Sequence, residues 1–284
     1  MVDILLWPNP EKESVRGLTQ QVIRWLDKRG ISAAMPQELA DRLNLGAFGC
    51  RVDAETMASV AWIMVLGGDG TLLLAAKRLV TWNKPLLGVN LGHLGFLTEV
   101  EVPDLFAALP LFLSNGYQLD VRRLLSAEVV RQDRALVRYE AMNDMVVTKG
   151  PFARLVNLET FVNEAYVTTY PADGIIVATP TGSTAYSLSA GGPILTPDLS
   201  VLVITPICPH SFFDRSVVID ATQTVKIRVR AMHRDTLLTV DGQEGFPLED
   251  GDEIRVAVSD RSVSLMRRPG WSFFHVLRGW RKGH

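Results

Sequence analysis

Five residues, Gly67-Gly68-Asp69-Gly70-Thr71, stand directly after the apolar run Ala61-Trp62-Ile63-Met64-Val65-Leu66. Three glycines around one carboxylate pack nothing and cost conformational entropy, so the backbone there must turn sharply or admit a ligand closely. The segment that follows, Thr71 to Val80, has helix-forming composition. Strand, glycine turn and helix N-terminus together offer free N–H groups and a positive dipole end, a setting for phosphate. An acid inside a phosphate site is electrostatically unwelcome, so Asp69 calls for a chemical role; a helix N-cap is the plain structural alternative. The turn fits neither common phosphate fingerprint. A dinucleotide-binding turn needs glycine where this chain has Leu73, and a P-loop needs Lys followed by Ser or Thr.

A second stretch, Thr179-Pro180-Thr181-Gly182-Ser183-Thr184-Ala185-Tyr186-Ser187-Leu188-Ser189-Ala190-Gly191-Gly192-Pro193, concentrates hydroxyls and small residues. Hydroxyls and backbone amides suit ribose or phosphate, and Tyr186 offers a ring to a base; the alternative is an ordinary Ser/Thr/Gly surface loop. Asn143-Asp144 sits between apolar runs, readable either as a turn or as an amide and a carboxylate set against ligand hydroxyls. Asp173-Gly174 and Asp241-Gly242-Gln243 are further polar knots at strand ends, with plain hairpin turns as the alternative. His93 and His210 have no partner at metal-ligand spacing, and no serine stands in a nucleophile elbow.

The elements that must position these residues change character along the chain. The first third alternates strand-like runs (Asp3–Trp7, Ala61–Leu66, Pro85–Val89) with helical spacing at Val15, Leu18, Val22, Trp25 and Leu26. That alternation predicts a parallel sheet covered on both faces. From about Leu119 short β-branched runs follow one another: Ser126–Arg131, Leu158–Val162, Ala165–Thr168, Gly174–Thr179, Val201–Thr205, Val225–Val229, Leu237–Val240 and Glu253–Val258. Asn163-Glu164 reads as a tight hairpin turn. Phe273, Val276, Leu277 and Trp280 form a short amphipathic stripe, expected to pack back on the protein rather than on a membrane surface. The expectation is an α/β N-terminal domain with a Rossmann-like parallel sheet over residues 1–115, to which a tail at 268–284 returns, and an all-β, β-sandwich-like domain over 116–267.

The 284 residues carry a formal net charge of -2, which argues against broad nucleic-acid binding. No apolar run approaches the roughly 20 residues that span a bilayer, and Met1-Val2-Asp3-Ile4 has no basic n-region. Two distant cysteines, Cys50 and Cys208, suit a reduced, cytoplasmic protein.

Taken together, these stretches resemble the NAD kinase family. The resemblance rests on G-G-D-G-T at 67–71, N-L-G-H-L-G-F-L at 90–97, Asn143-Asp144, and the long block from Asp173 to Ile194. The first motif alone is shared with diacylglycerol, sphingosine and phosphofructo-kinases. The family implies transfer of the ATP γ-phosphoryl group to the 2′-hydroxyl of the adenosine ribose of NAD, with Asp69 as general base and Mg²⁺ or another divalent cation on the triphosphate. It assigns nucleotide binding to Gly68, Gly70 and Thr71, adenine contact to Phe96, and NAD hydroxyls and amino group to Asn143 and Asp144. It places Asp173 at the nicotinamide end and Thr184, Ala185, Tyr186, Ser187, Leu188 and Ser189 along the dinucleotide groove, with Gln243 and Arg154 as weaker members. It also implies a homo-oligomer, dimer or tetramer, and inorganic polyphosphate as a conceivable donor. Two positions depart from the pattern: Asp144 stands where many relatives have Glu, and Pro171 where others have Arg. A lipid kinase sharing the turn and a non-catalytic NAD(P) sensor are the competing readings.

Overall fold

The computed structural model describes residues 2–92, 95–150, 155–210, 214–230 and 235–280. The chain divides into two compact units, Met1–Val121 with Val263–His284, and Arg122–Ser262. It leaves the first within the strand Gln118–Arg131 and re-enters it within the strand Glu253–Arg267.

The first unit is α/β. Its sheet is parallel, in the order Gly49–Cys50, Ala33–Pro36, Ile4–Pro8, Trp62–Gly67, Leu86–Asn90, with Val100–Glu101 and Leu265 each also pairing with Leu86–Asn90. Ile4–Pro8, Trp62–Gly67 and Leu86–Asn90 are buried along their whole lengths, so they read as continuous apolar runs rather than alternating ones. The helix Val15–Asp27 turns Val15, Leu18, Val22, Ile23 and Leu26 into the core, at the spacing the sequence displays. From Ile4–Pro8 the chain steps to one side for Ala33–Pro36 and to the other for Trp62–Gly67. The sheet therefore reverses direction between those two central strands, and crevices for ligands form at the carboxyl ends of strands at such a reversal.

The second unit is all-β apart from single turns of helix. One antiparallel sheet runs Val217–Asp220, Val201–Ile207, Gly174–Ala178, Asp144–Lys149, Thr236–Val240, Glu244–Leu248. The other contains Ala165–Ala172, Val156–Val162, Val225–Arg230 and Glu253–Arg267, with Gln118–Arg131 beside it and Arg134–Ala141 beyond. Their inner faces meet in one core, where Leu158, Tyr170 and Ile227 pack with Met145, Val147, Ile175 and Leu238. Asn163 and Glu164 both have positive φ, 47° and 68°, and close a hairpin as expected. Asp173-Gly174 is not a hairpin turn, because the strands it joins, Ala165–Ala172 and Gly174–Ala178, belong to different sheets. Ile176 and Ala178 face a second small core with Leu195 and Val203, so the strand Gly174–Ala178 is covered on both faces.

Candidate active site

In the first unit the glycine turn closes the strand Trp62–Gly67 and opens the helix Asp69–Leu79. The N-cap is Gly68, so the capping role open to Asp69 is not the one it takes. Its carboxylate leaves the helix and accepts three backbone N–H bonds: Phe96 to Oδ2 at 2.8 Å, and Leu97 and Thr98 to Oδ1 at 3.1 and 3.2 Å. Gly95 must be glycine for this, since a Cβ there would lie 2.1 Å from Asp69 Oδ1. A carboxylate offers about four acceptor positions; among the described residues, the one left over is on Oδ2. Of the three glycines in the turn, only Gly67 is demanded by packing, its Cβ position lying 2.3 Å from Thr71 Oγ1. At Gly68 and Gly70 the Cβ direction opens on space with no atom within 4 Å, so no side chain of their own stands in the way of a ligand.

That open space is a pocket of about 640 Å³, within the range of small-molecule sites. It lies at the sheet's reversal, between the residues after Ile4–Pro8 and the start of the helix Asp69–Leu79. Asn9 reaches across it to donate from Nδ2 to Thr71 Oγ1 at 3.1 Å. Lys12, Arg42 and Arg78 supply cations to its lining, with Arg42 ion-paired to Glu11. Asn9, Lys12, Arg42 and Arg78 were not singled out in the sequence; the Asn9-Pro10 pair ending the first strand is the signal that marks the near wall.

The loop that Asp69 holds is gripped from its other side by Arg267, which is only 1% exposed. Its Nη1 donates to Leu97 O and Thr98 O at 3.1 and 3.2 Å, and Nη2 donates to Phe96 O at 3.1 Å. Its Nε donates to Asp120 at 3.0 Å, Glu99 lies 3.4 Å away, and the Trp271 ring stacks below the guanidinium. Phe96 meets Phe273 of the terminal helix Phe273–Trp280, with ring centroids 5.8 Å apart. Of the stripe on that helix, Val276 is buried and Phe273 and Leu277 are half-buried, while the Trp280 side chain lies outside the described residues.

In the second unit Asn143 and Asp144 form a clamped corner. Asp241 accepts from the backbone N–H groups of Met142, Asn143 and Asp144 at 2.9, 2.8 and 3.1 Å. From the other side Thr179 donates its N–H to Asn143 O at 2.9 Å and its hydroxyl to Met142 O at 2.7 Å. Asp241 and Gly242, with φ of 49° and 63°, do make a hairpin turn, and that turn also delivers the clamp. Asp144 is 4% exposed; burial first, and then the neighbouring Asp241 carboxylate, push its carboxyl up to about 7.

The remaining residues fall around this corner in different ways. Thr184 bonds back to Thr181 O at 3.1 Å, while Ala185 is half-buried. Tyr186 is 45% exposed, its ring available to a planar group. Ser189 is exposed and Leu188 half-buried, but Ser187 turns its hydroxyl into the unit, 3.0 Å from Thr205 Oγ1. Asp173 sits at the opposite end of the strand Gly174–Ala178 from Asp144, where it pairs with Lys149 at 3.2 Å. At about 3.3 Å per residue, that strand separates the two carboxylates by roughly 15 Å. Gln243 is exposed on the hairpin next to Asp241, and Arg154 lies outside the described residues. Among the described residues no group of three or more His, Cys, Asp or Glu side chains could hold a metal ion.

Known proteins match this chain over nearly its whole length. Residues 4–117 match the ATP-NAD kinase N-terminal domain and residues 142–268 the ATP-NAD kinase C-terminal domain. The NAD kinase of Natranaerobius thermophilus is 41% identical over 278 residues, covering 98% of this chain and 96% of that protein. The NAD kinase of Moorella thermoacetica is 43% identical over 270 residues, 95% of this chain and 86% of that one. The yeast NADH kinase solved with NADH shares the fold at a TM-score of 0.85, with 23% identity over 99% of this chain and 88% of that chain. The Archaeoglobus fulgidus NAD kinase solved with ATP does so at 0.75, with 21% identity and 99% coverage of both. A carboxylate aimed on a glycine turn, an Asn-Asp corner clamped in a β unit, and full-length identity near two-fifths all lead to one family: the chain belongs to the NAD kinases.

Proposed function

We propose that this chain transfers the γ-phosphoryl group of ATP to the 2′-hydroxyl of the adenosine ribose of NAD, with Asp69 taking the hydroxyl proton. The observation that carries this reading is the aim of Asp69: three N–H bonds fix its carboxylate beside Gly68 and Gly70, whose Cβ directions are open, and among the described residues they leave one acceptor position on Oδ2. A ribose hydroxyl is a weak nucleophile, and a positioned carboxylate takes its proton as the oxygen bonds to Pγ. The bond from Pγ to the β–γ bridging oxygen breaks and ADP departs, so the protein's task is alignment and charge stabilisation. The donor phosphates are read into the pocket at the sheet reversal, over the N-terminus of the helix Asp69–Leu79 and among Lys12, Arg42 and Arg78. Asn143 and Asp144 are read as the contacts to the hydroxyls and amino group of the acceptor.

The donor set suits Mg²⁺ carried by triphosphate oxygens and water, because Asp69 is the one carboxylate on the turn and most of its acceptor positions are committed. When bound, the ion neutralises triphosphate charge. Two free thiols, Cys50 and Cys208, support a cytoplasmic location. A homo-oligomer belongs to the same reading, and sedimentation equilibrium tests it.

Purified protein given Mg²⁺, ATP and NAD is expected to form NADP, and diacylglycerol and sphingosine are expected to remain unphosphorylated. Asp69→Asn keeps its size and is expected to lower kcat by about 10²–10⁴-fold. A fully active Asp69→Asn enzyme would remove Asp69 as base; turnover of a lipid in place of NAD would remove the acceptor assignment.

A further inference from the structure

We propose that Arg267 is a positioning residue for phosphoryl transfer: its grip on the carbonyls of Phe96, Leu97 and Thr98 holds in place the N–H groups that aim the Asp69 carboxylate. The inference rests on the reading of Asp69 as proton acceptor and adds a residue that touches neither substrate.

Four consecutive peptide units, from 95–96 to 98–99, lie between opposite charges, and the two middle ones are held at both their N–H and their C=O. All three N–H groups of Phe96, Leu97 and Thr98 point to an anion, and all three carbonyls point to a cation. Each side fixes what the other side sees, because the N–H and C=O directions of a short loop move together when the backbone rotates. A guanidinium is the side chain able to reach three carbonyls at once, with its donors in a rigid planar fork; an ammonium on a flexible stem is not.

Simple charge pairing does not account for the arrangement. Glu99 already receives Arg268 Nε at 3.0 Å and the Arg268 backbone N–H at 3.1 Å, and Arg267 meets Glu99 only at 3.4 Å. Its shorter bonds are spent on the loop carbonyls and on Asp120. A buried ion pair is weak evidence of net stabilisation, whereas one whose geometry specifies a backbone conformation has a purpose that hydrophobic replacement would not serve. The stacked Trp271, 4.3 Å from the guanidinium carbon, keeps the fork in its plane.

The test compares Arg267→Lys, Asp120→Asn and Trp271→Leu in the full chain, measuring kcat, KM for NAD and ATP, and thermal unfolding. Arg267→Lys keeps the charge and loses the fork; kcat is expected to fall about 10- to 100-fold, the scale of an ångström-level misplacement, with both KM values within about twofold. Asp120→Asn leaves the carbonyl bonds intact, so it is expected to lower the melting temperature and keep kcat. In an Asp69→Asn background, Arg267→Lys is expected to cause no further fall in residual turnover, since it acts through Asp69. Should Arg267→Lys fail to fold, Trp271→Leu decides: a folded protein with kcat reduced severalfold at unchanged KM supports the role, and unchanged kcat overturns it. Wild-type kcat in folded Arg267→Lys, or an equal loss in both backgrounds, also overturns it. If Asp69→Asn is itself fully active, the fault lies with the assignment of the base; if Asp69→Asn is inactive while Arg267→Lys is not, only the positioning role falls.

Discussion

Asp144 is the residue where burial and chemistry pull hardest against each other. Its carboxyl is held in the β unit beside a second carboxylate that is itself committed to three N–H bonds, and it is pushed up to about 7. The folded protein therefore binds this proton more tightly than the unfolded chain between the ordinary value of 3.8 and about 7. Stability from this group falls by about 1.4 kcal/mol for each pH unit through that interval and levels off above it. Asp144→Asn removes the titration. Urea midpoints measured from pH 4 to 8 are expected to show the variant gaining on the parent as pH rises to about 7, with a constant difference beyond. A difference that does not change with pH would show that Asp144 is ionised throughout.

At the scale of elements, the site is a matter of corners held by glycine. A Cβ on Gly182 would lie 2.1 Å from the Asn143 carbonyl oxygen, which is also the acceptor of the Thr179 N–H. Gly182→Ala must move backbone rather than a side-chain tip. The expected cost is about 1–3 kcal/mol of stability, the range for overpacking, together with a raised KM for NAD at nearly unchanged KM for ATP; steady-state kinetics and thermal melts check both. The glycine turn at 67–71 was legible in the sequence because glycines after a buried strand have no packing purpose, and at two of the three the Cβ direction is open. The buried strands were legible as apolar runs. Gln118–Arg131 and Glu253–Arg267 were recognised only in part, because Arg122, Arg123, Arg261 and Arg267 interrupt the apolar signal. Asp241 was visible only as turn chemistry, since the three N–H groups it accepts lie almost a hundred residues away. Arg267 carried no signal at all: its partners are mostly carbonyls, and every residue type has one.

At the scale of the molecule, the α/β unit is discontinuous and the β unit is one stretch, Arg122–Ser262. The β unit's core draws every member from between Leu125 and Val256 or their packed neighbours, whereas the α/β core includes Met266. A fragment spanning 122–262 is therefore expected to unfold cooperatively by itself, while 1–121 alone is expected to lack a sharp transition; circular dichroism melts distinguish the two outcomes.

Vectorial synthesis turns that discontinuity into an order of events. The ribosome makes Asp69 and the loop at 96–98 early, then all of the β unit, and only afterwards Met266 and Arg267. A nascent chain can thus complete its β unit while Arg267, which holds the loop bonded to Asp69, does not yet exist. On the positioning role proposed for Arg267, full turnover is expected only once the stretch past residue 262 has been made and has closed on the loop. A message cut short before that point is expected to yield a protein with an intact β unit and strongly reduced turnover.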